Sequence, residues 1–158
     1  MRSVITQSVV LPASAASLFD MYLDPQAHEA ITGAPVTIGS IAGSDFKAFG
    51  GVLSGTVLGV VRSSLIVQSW RSAKFEPVDP DSTLILSFQS EGANGRIDLV
   101  HLDVPDHDYN GVVEGWEKFI GLLGDSSWTA QFDPRGQHPT PSTRTSLQIH
   151  YVSYCQRR

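Results

Sequence analysis

The residue with the most chemical scope in this sequence is His101, in Leu99-Val100-His101, on a strand face shared with Ile97 and Leu99. A neutral imidazole has one N–H to give and one lone pair to offer, so His101 can hydrogen-bond a ligand carbonyl or hydroxyl. As a proton carrier it needs a nearby acid. The plainer expectation is a histidine whose two nitrogens are satisfied by backbone and water. Asp103, Asp106, His107 and Asp108 follow closely and form the densest group of metal-ligating residue types. They sit where a strand hands over to a helix, a place where capping and the helix dipole already favour carboxylates. With no His-x-x-x-His spacing beside them, no metal is expected. Arg71, next to Trp70, has the geometry for an anionic head group, but a pair with a neighbouring carboxylate is the favoured reading.

Other catalytic signatures fail on spacing or context. Gly51-Val52-Leu53-Ser54-Gly55 is not a Gly-x-Ser-x-Gly elbow and lies in an extended stretch. Gly55-Thr56-Val57-Leu58-Gly59 lacks the Lys of a phosphate loop, and no Gly-x-Gly-x-x-Gly opens a helix, so neither a nucleotide nor any other cofactor is expected. Cys155 is the only cysteine, which excludes an internal disulfide and a multi-thiolate zinc site; it reads as a free thiol.

These residues need a scaffold, and the composition bounds it. The chain has 158 residues with 41% hydrophobic content, suited to one globular core. Its charged fraction is 17% and its net charge −5, which argues against a basic nucleic-acid surface. Residues 1–125 carry 7 basic and 15 acidic side chains, net −8, while residues 126–158 carry 4 and 1, net +3, among many Ser, Thr, Pro and Gln. A boundary is therefore expected near Asp125, with a polar tail after it. Within the tail, alternation over 147–154 allows one added edge strand. Thr6, Gln7 and Ser8 interrupt the first apolar stretch, so no signal peptide or membrane span is expected and the cytoplasm is the expected location.

The element order follows from punctuation and period. Val4 to Leu11 is a β-branched run closed by Pro12. Ser14 then caps a helix whose apolar residues are Ala15, Leu18, Phe19, Tyr22 and Leu23, and Asp24-Pro25 opens a second one stopped by Gly33. Extended runs are expected at Val36–Ile41, Phe46–Phe49, Val52–Val61, Leu65–Arg71, Thr83–Ser90 and Arg96–Val104. A two-residue Gly50-Gly51 hairpin should join the second and third. After Pro105, with Asp106 or Asp108 as cap, Val112, Val113, Trp116, Phe119, Ile120 and Leu123 share the apolar face of a long helix ended by Gly124. Gly111, Gly115 and Gly121 each weaken that helix by about 0.5–1 kcal/mol relative to Ala, so it must be held by packing. The expected class is α+β: a curved seven-stranded antiparallel sheet wrapped around a long C-terminal helix, with two short helices after the first strand.

Five segments carry a family resemblance: Glu29-Ala30-Ile31-Thr32-Gly33-Ala34-Pro35, Gly51-Val52-Leu53-Ser54-Gly55, Trp70-Arg71, Leu99-Val100-His101 and Gly115-Trp116. In order and spacing they resemble the activators of heat-shock protein 90 ATPase, over about residues 3 to 124. The resemblance implies the helix-grip fold of the START and birch-pollen-allergen (SRPBCC) superfamily, whose usual cavity lies between the long helix and the sheet. The side chains implied for its wall are Phe19, Phe49, Trp70, Phe88, Leu99, His101, Trp116 and Phe119; as a structural alternative, each simply fills the core.

Three functions remain open, since this fold hosts several. The first is a non-catalytic domain holding a small hydrophobic or amphipathic molecule. The second is a co-chaperone that stimulates heat-shock protein 90; here the likeness is to the smaller C-terminal-type domain, whereas the eukaryotic activators engage the chaperone through their N-terminal domain. The third is a polyketide cyclase-like or hydrolase-like enzyme using His101. Neither the ligand nor the oligomeric state is legible at this level.

Overall fold

The computed structural model describes residues 3–125. The expected tail at 126–158, its strand at 147–154 and Cys155 lie outside the described residues. Strand β1 (Val4–Leu11) leads into two short helices, α1 (Ala15–Leu23) and α2 (Pro25–Thr32). Ser14 accepts the Ser17 N–H at the start of α1, and Asp24 accepts the Ala27 N–H at the start of α2 ahead of Pro25, so both caps act as their residue types dictate. Gly33 ends α2 in the left-handed conformation, φ 72°.

Six strands follow: β2 (Val36–Ile38), β3 (Asp45–Ala48), β4 (Leu53–Val61), β5 (Leu65–Ser72), β6 (Ser82–Glu91) and β7 (Asn94–Leu102). The sheet order is β1-β7-β6-β5-β4-β3-β2, with every neighbouring pair antiparallel. One connection alone is long-range: β1 pairs with the last strand, Val4 opposite Leu102, leaving α1 and α2 to pack on the sheet's inner face. Burial alternates strictly along β5, where Ile66, Gln68, Trp70 and Ser72 point inward, and along β7, where Ile97, Leu99 and His101 do so.

The sheet bends at β4. Gly55 lies so near β5 that a Cβ would come within 2.0 Å of the Ser69 carbonyl oxygen, so no side chain fits there. Beside it the ladder skips, the register shifting between Val57 and Gly59, and the Ser69 hydroxyl accepts the Thr56 N–H instead. Such interruptions raise the local twist; β2 packs on α2, and the long helix α3 (Tyr109–Gly124) packs on β1 and α2. The buried face of α3 is Val112, Trp116, Phe119, Leu122 and Leu123. This is the expected α+β architecture, a seven-stranded antiparallel sheet gripping a C-terminal helix.

Three local readings need correction. The expected Gly50-Gly51 hairpin is a wider turn, a 3₁₀ segment over Phe49–Gly51, because β3 and β4 pair only from Ala48 opposite Leu53. Three consecutive residues there have positive φ: Phe49 at 53°, Gly50 at 67° and Gly51 at 92°. Only the glycines accept this without steric cost. The strand expected at Val36–Ile41 stops at Ile38 because Ser40–Ser44 forms a turn. Finally, Asp106–Asp108 is a 3₁₀ turn, and Asp108, at the N-cap position of α3, makes no side-chain cap bond.

Candidate functional site

Beneath the first half of α3 lies a cavity of about 80 Å³. Its apolar wall comes from both layers: Phe46, Ala48, Phe49, Val52, Leu53 and Trp70 from the sheet side, Val112, Trp116 and Phe119 from α3. Tyr22, His28 and Thr32 close the end formed by the short helices, and Ser72, Lys74 and Asp108 form the polar margin. The space exists because α3 presents Gly111 and Gly115 here. A Cβ on Gly115 would meet nothing within 4 Å, whereas one on Gly111 would sit 2.8 Å from the Asp108 carboxylate. Gly111 thus makes room for the margin and Gly115 leaves the cavity empty.

The eight expected wall residues divide. Phe49, Trp70, Trp116 and Phe119 border the cavity. Phe88 and Leu99 instead border a second void of about 10 Å³ under the later turns of α3, where Phe119 also reaches. Phe19 packs edge-to-face on Phe88 at 5.5 Å, and these three buried residues lie away from the cavity. His101, fully buried, does not border the cavity; it stands behind Trp116.

The geometry around His101 defines every proton. The Trp116 indole N–H can only donate, so His101 Nδ1, at 2.9 Å, accepts and carries no proton. His101 Nε2–H therefore donates to the Ser82 hydroxyl, 2.7 Å away, and Ser82 in turn donates to the Trp70 carbonyl at 2.8 Å. Burial lowers the His101 pKa to about 3. With an indole and a hydroxyl as its partners, His101 is a neutral positioning group that fixes Trp116.

Several site residues are absent from the sequence expectation. His28 donates Nδ1–H to the Tyr22 carbonyl at 2.9 Å, and its pKa falls to about 4, chiefly through burial and against the opposing pull of that bond. Tyr22 donates to Gln68 Oε1 at 3.0 Å; burial raises the Tyr22 pKa despite that bond. At the margin Lys74 Nζ lies 3.8 Å from the buried Asp108 carboxylate. The available signal for these positions was the pair of glycines on an otherwise apolar helix face.

The acidic run after β7 disperses. His107 Nε2 sits 2.8 Å from Asp79, which raises the His107 pKa and lowers that of Asp79. Arg71 bonds Asp81 at 2.8 Å and the carbonyls of Asp79 and Glu76, the carboxylate pairing favoured from sequence. Among the described residues no three His, Cys, Asp or Glu side chains gather as a metal site, and no helix is long and apolar enough to cross a membrane.

Comparison with known proteins adds a family. Residues 12–125 match the family model described as "Activator of Hsp90 ATPase homolog 1-like protein". No curated protein sequence matches the chain. Among solved structures, an HSP90 activator from Plasmodium falciparum is 22% identical, with a TM-score of 0.63 over 78% of this chain and 90% of that one. A protein from Mesorhizobium loti is 17% identical, with a TM-score of 0.70 over 83% and 99%. The Aha1 dimer from Colwellia psychrerythraea is 12% identical, with a TM-score of 0.65 over 78% and 95%. At these identities the likeness is one of fold.

Proposed function

The chain belongs to the activator of Hsp90 ATPase homolog 1-like family, and from that premise we propose that it is a non-catalytic domain that holds a small hydrophobic or amphipathic molecule between α3 and the sheet. The observation carrying this reading is the cavity under Gly111 and Gly115, walled by Phe49, Trp70, Trp116 and Phe119. A well-packed core leaves few voids larger than a water molecule, and a dry apolar cavity of roughly 150 Å³ accepts benzene. About 80 Å³ suits a smaller apolar group, with the rest of any larger ligand leaving past Lys74 and Asp108. The cavity supports binding, and His101, the one proton carrier expected from the sequence, is turned away from it with both nitrogens engaged.

The test is native mass spectrometry of freshly purified protein, followed by titration of an apolar fluorescent dye. A copurified small molecule, or saturable one-to-one dye binding abolished by Gly115→Leu, is the expected result. Absence of both removes the reading.

The family description favours a second reading, in which the domain contacts heat-shock protein 90 and accelerates its ATP hydrolysis. An unchanged ATPase rate of purified chaperone in excess protein excludes it. Either reading is compatible with the cytoplasm.

A further inference from the structure

The inner row of β5 carries two buried polar atoms with no hydrogen-bond partner among the described residues, Trp70 Nε1 and Gln68 Nε2. Both belong to residues at least nine-tenths buried, Trp70 at 4% exposure and Gln68 at 0%. They lie two residues apart on one face, and Trp70 forms part of the cavity wall. The mismatch has a sign. An indole N–H and an amide NH₂ can only donate, and the described residues leave no buried side-chain acceptor unpaired. Burying a donor without an acceptor costs on the order of a hydrogen bond or more, so what the site lacks is an oxygen.

Resting on the ligand-holding reading above, we infer that the cavity takes a neutral, carbonyl-bearing apolar molecule whose oxygen accepts the Trp70 indole N–H. Neutrality follows from the margin. A ligand carboxylate would approach buried Asp108, whose charge is already matched by Lys74 at 3.8 Å, and a ligand ammonium would find in Trp70 a further N–H donor and no acceptor. An alcohol could accept from Trp70 but would bring a further proton into a wall that is mostly ring faces and alkyl groups. Trp116, the other indole in the wall, is unavailable, since its N–H is donated to His101.

Cyclopentanone and methylenecyclopentane share a shape and differ by an oxygen against a CH₂, and they are the probes. In ¹⁵N-labelled protein, cyclopentanone should move the Trp70 indole proton downfield and leave that of Trp116 nearly unchanged, while methylenecyclopentane should produce no downfield shift. Trp70→Phe reshapes the wall for both probes, and should weaken cyclopentanone about 2- to 10-fold more than the hydrocarbon, the usual net worth of one hydrogen bond. Binding of both probes with no Trp70 shift and the same loss of affinity for each in the variant overturns the carbonyl inference while leaving the cavity reading intact. Cyclopentanecarboxylate binding more tightly than the ketone overturns the neutrality. If neither probe binds, the carbonyl inference falls, and the dye titration above decides the cavity reading separately. The indole shift is read in the unaltered protein, so the inference remains testable even if Trp70→Phe does not fold.

Discussion

The two halves of the space under α3 are built differently although one helix covers both. Under its later turns, Phe119, Ile120 and Leu123 face Met21, Leu86, Phe88 and Leu99, and about 10 Å³ is left over. Under its earlier turns Gly111 and Gly115 stand beside Val112 and Trp116, and about 80 Å³ remains between the helix and Phe46, Phe49 and Trp70. The filled half anchors the helix, which allows the other half to stay empty. A gap left by omitting side chains is stable only when tight packing nearby offsets the lost contacts.

Measurements on both halves can break that contrast. Leu86, buried in the filled half's sheet, should lose about 2–5 kcal/mol on truncation to Ala. Val52→Ala beside the existing cavity should lose about 1 kcal/mol, since it removes less buried surface and enlarges a space already open. Equal costs in urea denaturation would mean that the halves are not packed differently.

Acid should come next in size. The folded chain holds His28 and His101 neutral down to about 4 and 3, against an ordinary value of 6.5. The unfolded chain binds those protons first, so the contribution of these two groups should be level above pH 7 and stability should fall as the pH drops from 6.5 towards 3. Their ring protons should show no titration between pH 5 and 8 by NMR. A midshift near 6.5 for His101 would contradict its place behind Trp116.

Gly115→Leu should raise stability by about 1 kcal/mol through helix propensity alone and lift the thermal midpoint by a few degrees, while closing the cavity to ligands. A destabilised variant would show that the space is less open than Gly115 implies.

The smallest effect is expected at the surface beyond the margin, where His107 faces Asp79. Here the sign reverses. The His107 pKa is raised in the folded chain, so its contribution is complete below the unfolded value and fades as the pH rises through the folded one. The stability difference between the native protein and His107→Gln should therefore be larger at pH 6 than at pH 9. A difference independent of pH would leave no role for the imidazolium.

Legibility from sequence follows the range of the interaction responsible. Strands β5 and β7 were readable because alternation is a property of adjacent residues, and α1 and α2 because Ser14, Asp24 and Pro25 act within one helical turn. The turn at Phe49 was not. Two glycines suit a short hairpin, but a non-glycine residue with positive φ is selected by the burial of its ring. The capping read into Asp108 failed because its carboxylate turns to Lys74, 34 positions earlier in the chain. His101 was singled out for its chemistry, but its task is set by Trp116 and Ser82, on two other elements. Of the wall, the large aromatic residues were visible and the space between them was not, because a void is defined by atoms that no residue supplies.

The proton chain from Trp116 through His101 and Ser82 to the Trp70 carbonyl has a mechanical consequence. Greasy surfaces alone let a helix slide along its sheet or roll about its axis with little change in contact area, whereas a line of bonds running one way tolerates neither. Trp116 acts as a key in a keyway: it sets the screw position of α3 to within one side chain, and so keeps the two glycines suspended over the gap.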